Sequence, residues 1–185
     1  MKVLAIVGMA GSGKSTVAEY FKNHNLPVLS FGDLIREEIL KRGLEITPLT
    51  EPIVREEIRN QYGMDACVKL SLPWIQAKLM KNSFVIIDGI RSFSEYKSLK
   101  KEFGDKLVVL TLFTSKHIRY KRLASRTTRP FKRDEAEARD YREIEKIELG
   151  GTIAIADFMI INDGLSEELF HKVETLLTNL VTKVS

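Results

Sequence analysis

Gly8-Met9-Ala10-Gly11-Ser12-Gly13-Lys14-Ser15-Thr16 holds the densest chemistry in this chain and fits G-x-x-x-x-G-K-[ST]. The apolar run Val3-Leu4-Ala5-Ile6-Val7 precedes it and reads as a buried strand; Thr16-Val17-Ala18-Glu19-Tyr20-Phe21 follows as an amphipathic helix. Strand, glycine-rich loop and helix in that order cradle a nucleotide polyphosphate. The glycines let successive N–H groups turn toward phosphate oxygens. A helix starting near Gly13 adds its positive dipole end. Lys14 can reach the β- and γ-phosphates and act catalytically, and the Ser15 hydroxyl can ligate Mg²⁺. Gly8 through Thr16 is therefore the candidate ATP-binding segment, with ATP as donor and Mg²⁺ as the implied cofactor.

Asp88 ends the apolar run Phe84-Val85-Ile86-Ile87. A carboxylate there can hold Mg²⁺, partly through water, as a Walker B element does; the plainer alternative is a helix cap or a turn. Gly89 follows, where many P-loop motors and hydrolases carry a glutamate that activates water. That difference favours transfer to a bound acceptor over hydrolysis. Guanine-selective switches carry Asn-Lys-x-Asp, which this sequence lacks.

Arg119, Arg122, Arg126, Arg129 and Arg133 fall three or four apart, so one continuous helix would align them. Pro130 should break it and leave Thr127 to Lys132 as a hinge or lid tip. Arg122 and Arg126, at the lid base, are candidates to stabilise transferring charge, since guanidinium forks bind phosphate oxygens bidentately. Arg133 to Glu148, dense in both signs, reads as a solvated helix laced with Glu–Arg pairs. An RNA-binding role for this basic stretch lacks the aromatic-and-basic platform such modules use.

These residues need a frame. Further strands are expected at Pro27–Ser30, Leu107–Leu112 and Phe158–Ile161. Runs apolar throughout are strands covered on both faces. Helical patterns lie at about Ser15–Asn23, Asp33–Arg42, Glu51–Tyr62, Ala66–Lys81, Ser94–Glu102, Lys116–Ala124, Arg133–Leu149 and Ser166–Lys183. Their alternation with strands predicts an α/β fold with a parallel sheet, whose ligands collect at the strands' carboxyl ends. Asp33 and Thr50 are expected as helix caps, and Gly43 and Gly150-Gly151 as helix stops. Tyr62-Gly63-Met64-Asp65 reads as a break between helices, and Trp74 as core rather than acceptor pocket.

With 185 residues, 44% hydrophobic and 29% charged, one domain is the simplest organisation. No apolar run approaches the ~20 residues of a membrane span. Met1-Lys2 leads straight into a strand, which argues against a signal peptide. The lone Cys67 rules out an intrachain disulfide, reads as a small core residue and suits a reducing cytoplasm. One cysteine and three scattered histidines (His24, His117, His171) make no usual zinc site.

The succession Gly8–Thr16, Ser30-Phe31-Gly32-Asp33-Leu34-Ile35-Arg36, Val85-Ile86-Ile87-Asp88-Gly89-Ile90-Arg91 and Arg122–Arg139 resembles the nucleoside monophosphate kinase superfamily. It is most similar to an archaeal group related to adenylate kinases and dephospho-CoA kinases. Asp88-Gly-Ile-Arg91-Ser, Ile118-Arg-Tyr-Lys-Arg122 and Ala156-Asp-Phe-Met-Ile-Ile-Asn162-Asp carry that similarity over essentially the whole chain. The resemblance implies a three-layer α/β/α P-loop kinase fold with a five-stranded parallel sheet of order 2-3-1-4-5. It further implies an acceptor-binding insertion at about 33–82 and a lid at about 122–150.

By the same resemblance, Asp33, Arg36 and Arg91 would bind the acceptor. Arg91 follows Asp88 one residue sooner than in adenylate kinases, without their proline. Ser15-Thr16 matches dephospho-CoA and shikimate kinases, which phosphorylate a hydroxyl and use an Asp near strand 2. Their second Asp is Phe31 here, so a phosphate acceptor, AMP first, is favoured over a hydroxyl. Three readings stay open: a nucleoside monophosphate kinase, a dephospho-CoA-kinase-like hydroxyl kinase, and a nucleotide-responsive ATPase binding RNA or protein. The first expects small-molecule nucleotide partners in the cytoplasm, with no membrane.

Overall fold

The structure is a computed structural model that describes residues 1–47, 49–127 and 130–182. Strands β1 (Lys2–Val7), β2 (Val28–Ser30), β3 (Phe84–Asp88), β4 (Leu107–Phe113) and β5 (Phe158–Ile161) form one sheet of order β2-β3-β1-β4-β5. All four pairings are parallel. The helices are α1 (Lys14–Asn23), α2 (Phe31–Lys41), α3 (Thr50–Tyr62), α4 (Ala66–Leu79), α5 (Phe93–Phe103), α6 (Lys116–Ala124), α7 (Arg133–Glu145), α8 (Leu149–Ala154) and α9 (Ser166–Thr182). The expected α/β class and strand order are therefore found.

Central β1 shows why the strands carry no polar alternation. Val3, Ala5 and Val7 face a core built with Ile35 and Ile39 of α2, Val54 and Ile58 of α3, Ile75 of α4 and Leu99 of α5. Leu4 and Ile6 face the opposite core, with Val17 and Phe21 of α1 and Leu169 and Val173 of α9. Successive side chains alternate faces, and both faces are dry, so both sets must be apolar. A third, small cluster joins Ala10 of the loop after β1 to Leu123 of α6 and Ala136 of α7, with Tyr120 and Phe131 packed against it.

Several local expectations shift. α2 starts at Phe31, so Asp33 lies in its first turn rather than at its cap. Thr50 opens α3 and ties the preceding loop, its Oγ1 accepting from the Thr47 amide at 2.8 Å and donating to the Glu45 carbonyl at 2.6 Å. Gly43 ends α2 as expected, at φ +69°. The helix expected at Arg133–Leu149 ends early: α7 stops at Glu145, Glu148 turns at φ +55°, and a further short helix, α8, runs through Gly150-Gly151. Those glycines do not stop a helix. Gly151 instead lets α8 press on α5, since a β-carbon there would lie 3.2 Å from the Phe93 ring. α6 ends at Ala124, before Pro130.

Candidate active site

The carboxyl ends of the strands converge as a parallel sheet requires. β1 releases the chain into Gly8 at φ +144°, and a β-carbon there would sit 2.5 Å from the Leu112 carbonyl of β4. Only glycine accommodates both that dihedral and that approach. The far side of the loop is clamped by two buried polar residues. Asn162 Nδ2 and Thr114 Oγ1 donate to the Ser12 carbonyl at 2.9 and 3.3 Å, and Thr114 also donates to the Asn162 carbonyl at 2.9 Å. The ends of β4 and β5 thus set the loop's shape. Asn162 reads in sequence only as part of a turn; the missed signal is a polar residue immediately after an apolar strand at its carboxyl end.

Lys14 folds back over this loop. Its Nζ donates to the carbonyls of Gly8 at 2.6 Å and Met9 at 3.0 Å. Burial pulls its amine down to about 8, partly opposed by Asp88 and Glu143. Ser15 and Thr16 are exposed in the first turn of α1. Asp88 lies beside Ile6 of β1 and Ser30 of β2 in the sheet register. It is buried, and its Oδ1 has no hydrogen-bond partner. Burial pushes its carboxyl up, and the positive charges of Lys14 and Arg91 oppose that. An orphaned buried carboxylate oxygen at this loop fits a hydrated divalent cation. Among the described residues no three His, Cys, Asp or Glu side chains could hold a metal by themselves. The residues therefore suit Mg²⁺ only as an ion that arrives with a polyphosphate.

Starting at Gly89, the residue after Asp88, a pocket is lined by Phe31, Gly32, Gly89, Cys67, Glu95 and three arginines, Arg55, Arg59 and Arg91. Arg55 and Arg59 sit one turn apart on α3, on the side that carries buried Val54 and Ile58. Glu95 is buried at the start of α5. It accepts from the amides of Arg91 at 2.7 Å and Ser92 at 3.0 Å, closing a capping box with the Ser92 side chain. It also faces Arg59 Nη2 at 3.9 Å. With Glu143 of α7 near Arg91, two carboxylates face three guanidiniums. Burial, then Arg91 and Arg59, pulls Arg55 down to about 10. Guanidinium forks lining a pocket suit an anion. Cys67 is a core thiol, pushed up to about 11 by burial, and is unreactive there.

The predicted acceptor residues divide. Arg91 lines the pocket, with Glu143 of α7 at 3.8 Å from its Nη1. Arg36 pairs with Asp33 of its own helix and lies 3.8 Å from Glu51; its guanidinium borders Gly32 at the pocket rim. Asp33 also faces Lys22 of α1 at 3.8 Å. Arg55 and Arg59 were missed because they end no strand; a pair of arginines four apart on α3, the second helix after β2, was the available signal.

The lid arginines do not form one stripe. Arg119 is buried and bonded to Asp140 of α7 and to the Ala10 carbonyl. Arg122 donates to the carbonyls of Asn162 at 2.9 Å and Gly164 at 3.2 Å, at the turn between β5 and α9. Arg126 is exposed beyond the end of α6, and Arg129 lies outside the described residues. Nor is α7 simply solvated: Ala136, Asp140 and Glu143 are buried along one face, and Glu143 accepts from Arg139 at 3.1 Å.

Comparison with known proteins now settles the family. Residues 7–147 match the family described as an AAA domain. A UPF0200 protein of Thermococcus gammatolerans is 36% identical, across 97% of this chain and 95% of that protein. The chain belongs to the UPF0200 proteins. Another relative, from Methanococcus vannielii, is 33% identical across the whole chain. The UPF0200/UPF0201 protein of Archaeoglobus fulgidus is 37% identical, the chain spanning 57% of its length. Among solved structures, shikimate kinase from Bacteroides thetaiotaomicron superposes with a TM-score of 0.62 at 15% identity, over 96% of this chain and 98% of that one. A gluconokinase from Sinorhizobium meliloti gives 0.53 at 15% identity, over 100% and 98%. The UPF0200 fold is thus that of P-loop kinases. No helix among the described residues is long and apolar enough to cross a membrane.

Proposed function

We propose that this UPF0200 protein is an ATP- and Mg²⁺-dependent phosphotransferase acting on a small phosphorylated acceptor, with AMP the first candidate. One observation carries the reading: Asp88 lies beside Ile6, two residues before the glycine-rich loop, and the residue after it, Gly89, lines the arginine pocket. A donor cradle and an anion pocket therefore meet at one point, which a transfer enzyme needs and a simple hydrolase does not.

In this reading the amides of Gly8–Thr16 and Lys14 hold the donor phosphates. Arg55, Arg59 and Arg91 hold the acceptor's phosphate, with Arg36 and Asp33 at the rim. Ser15 and Asp88 would hold Mg²⁺, which supplies charge neutralisation across the β- and γ-phosphates when bound. Arg122 and Arg126 would stabilise charge on the transferring group. Phosphoryl transfer needs little covalent help, so positioning and preorganised positive charge supply most of the catalysis. Three guanidiniums set against only Glu95 and Glu143 favour an acceptor that is already anionic over a neutral alcohol.

The test is ADP formation from Mg·ATP with a panel of nucleoside monophosphates, dephospho-CoA and small alcohols, with Lys14→Ala as control. Acceptor-dependent ADP formation with a monophosphate, lost in Lys14→Ala, is expected. Equal ADP formation with and without any acceptor would replace transfer by hydrolysis. A response to dephospho-CoA alone, abolished by Asp33→Asn, would replace the acceptor by a hydroxyl.

A further inference from the structure

Arg119 and Asp140 are both about 6% exposed, far from ordinary for a charged pair, and they connect the lid to the donor loop. The pair is bidentate: Arg119 Nη1 and Nη2 reach Asp140 Oδ1 and Oδ2 at 3.0 and 2.6 Å. The same Nη1 donates to the Ala10 carbonyl at 3.0 Å, in the middle of the glycine-rich loop. Tyr120 adds a hydrogen bond from its hydroxyl to Asp140 Oδ2 at 3.1 Å. The Arg119 backbone abuts the next loop residue, since a β-carbon on Gly11 would fall 2.8 Å from the Arg119 carbonyl. Ala10 itself is buried against Leu123 of α6 and Ala136 of α7. Loop, α6 and α7 are thus fastened by apolar contact and by one ionic strut.

We propose that Asp140 is a positioning residue for polyphosphate binding: through Arg119 it fixes the Ala10 peptide, and with it the direction of the loop amides. The strut rests on the nucleotide-binding reading of the loop but concerns a residue that touches no nucleotide. A buried Arg–Asp pair is a poor way to gain stability, because desolvation offsets most of the attraction. It is a good way to hold a peptide plane, because the planar fork has one geometry. The face of α7 that carries it continues to Glu143, which reaches Arg91 at 3.8 Å. One helix therefore reaches the donor loop through Asp140 and Arg119, and the arginine pocket through Glu143.

A second ion pair between α6 and α7 provides the control. Lys116 and Glu137 meet at 2.6 Å on the exposed side and do not reach the loop. Calorimetric titration of Mg·ATP would compare the wild-type chain with Asp140→Asn, Arg119→Lys and Glu137→Gln. Asp140→Asn is expected to weaken binding by about tenfold, the scale of one lost charge-assisted hydrogen bond. Arg119→Lys should fall between it and wild type, and Glu137→Gln should stay within about twofold. In parallel, amide hydrogen exchange of the free protein should speed up at Gly8–Lys14 in Asp140→Asn but not in Glu137→Gln.

The exchange measurement needs no nucleotide. Should wild type fail to bind Mg·ATP, the nucleotide reading falls while the strut is still judged by exchange. Should Asp140→Asn fail to fold, Arg119→Lys carries both readouts. Unchanged affinity and unchanged loop exchange in Asp140→Asn, or equal losses in Glu137→Gln, would overturn the proposal.

Discussion

Lys14 donates to the carbonyls of Gly8 and Met9, so a bound polyphosphate must replace those two bonds. Its amine, ordinarily near 10.5, is held at about 8 by burial. The sign of the stability effect follows. Below about pH 8 both folded and unfolded chains carry the proton, and the cost of the buried charge is fully present; between 8 and 10.5 the folded chain sheds its proton first, so stability rises with pH. Lys14→Met should therefore stabilise the ligand-free protein at pH 7, by about 1–2 kcal/mol in urea unfolding, while abolishing nucleotide binding. Wild-type affinity for Mg·ATP should be level below pH 8 and fall above it, approaching tenfold per unit, when titrated from pH 7 to 10. Gly8→Ala combines a positive φ with a clash against the Leu112 carbonyl. It should lose about 2 kcal/mol or more of stability and weaken Mg·ATP binding with it.

The elements divide the work between a rigid sheet and two helical arms. On α3, Arg55 and Arg59 line the pocket, and burial pulls Arg55 down to about 10, a cost to the fold. Arg55→Met should raise the KM for the phosphorylated acceptor about tenfold or more, leave the KM for Mg·ATP within about twofold, and stabilise the free protein by about 1 kcal/mol. Initial rates with each substrate varied, beside thermal unfolding, read all three. Asn162→Ala should act on the donor side instead, freeing the Ser12 carbonyl from its 2.9 Å bond and costing about 1–2 kcal/mol of stability.

How far these elements could be read from the sequence depends on what shapes each one. The strands, α1 and the donor loop were legible because local pattern determines them: continuous apolar runs, three glycines and Lys14 at fixed spacing. Arg91 and Asp88 were legible because they end or follow a strand. Arg55, Arg59, Asp140 and Glu143 were not, because a charged residue on a helix looks the same whether it faces water or a pocket. Burial by another element decides that: α5 and its Glu95 for Arg59, α6 and its Arg119 for Asp140. The split between α7 and α8 was hidden for a similar reason. Gly150-Gly151 reads as a helix stop, but here contact with Phe93 makes the missing side chain of Gly151 useful.

At the scale of the whole molecule, the two cores place α1 and α9 on one face of the sheet and α2 to α5 on the other. Asp88 sits at the sheet's carboxyl end, beside the loop between β1 and α1. Saturation with Mg·ATP should stabilise this whole assembly by linkage. At a hundred times its Kd the nucleotide should add about 2.7 kcal/mol to the unfolding free energy, and in Lys14→Met it should add nothing. Removing the metal with a chelator should erase the same increment in wild type. The most direct measurement follows the γ-phosphate itself. Wild-type protein is given Mg²⁺, γ-labelled ATP and AMP, and the labelled products are separated. The account predicts label on the acceptor, with little in inorganic phosphate, and loss of that product in Asp88→Asn although the variant remains folded. Label appearing only as inorganic phosphate across all monophosphates, or full transfer by Asp88→Asn, would contradict it.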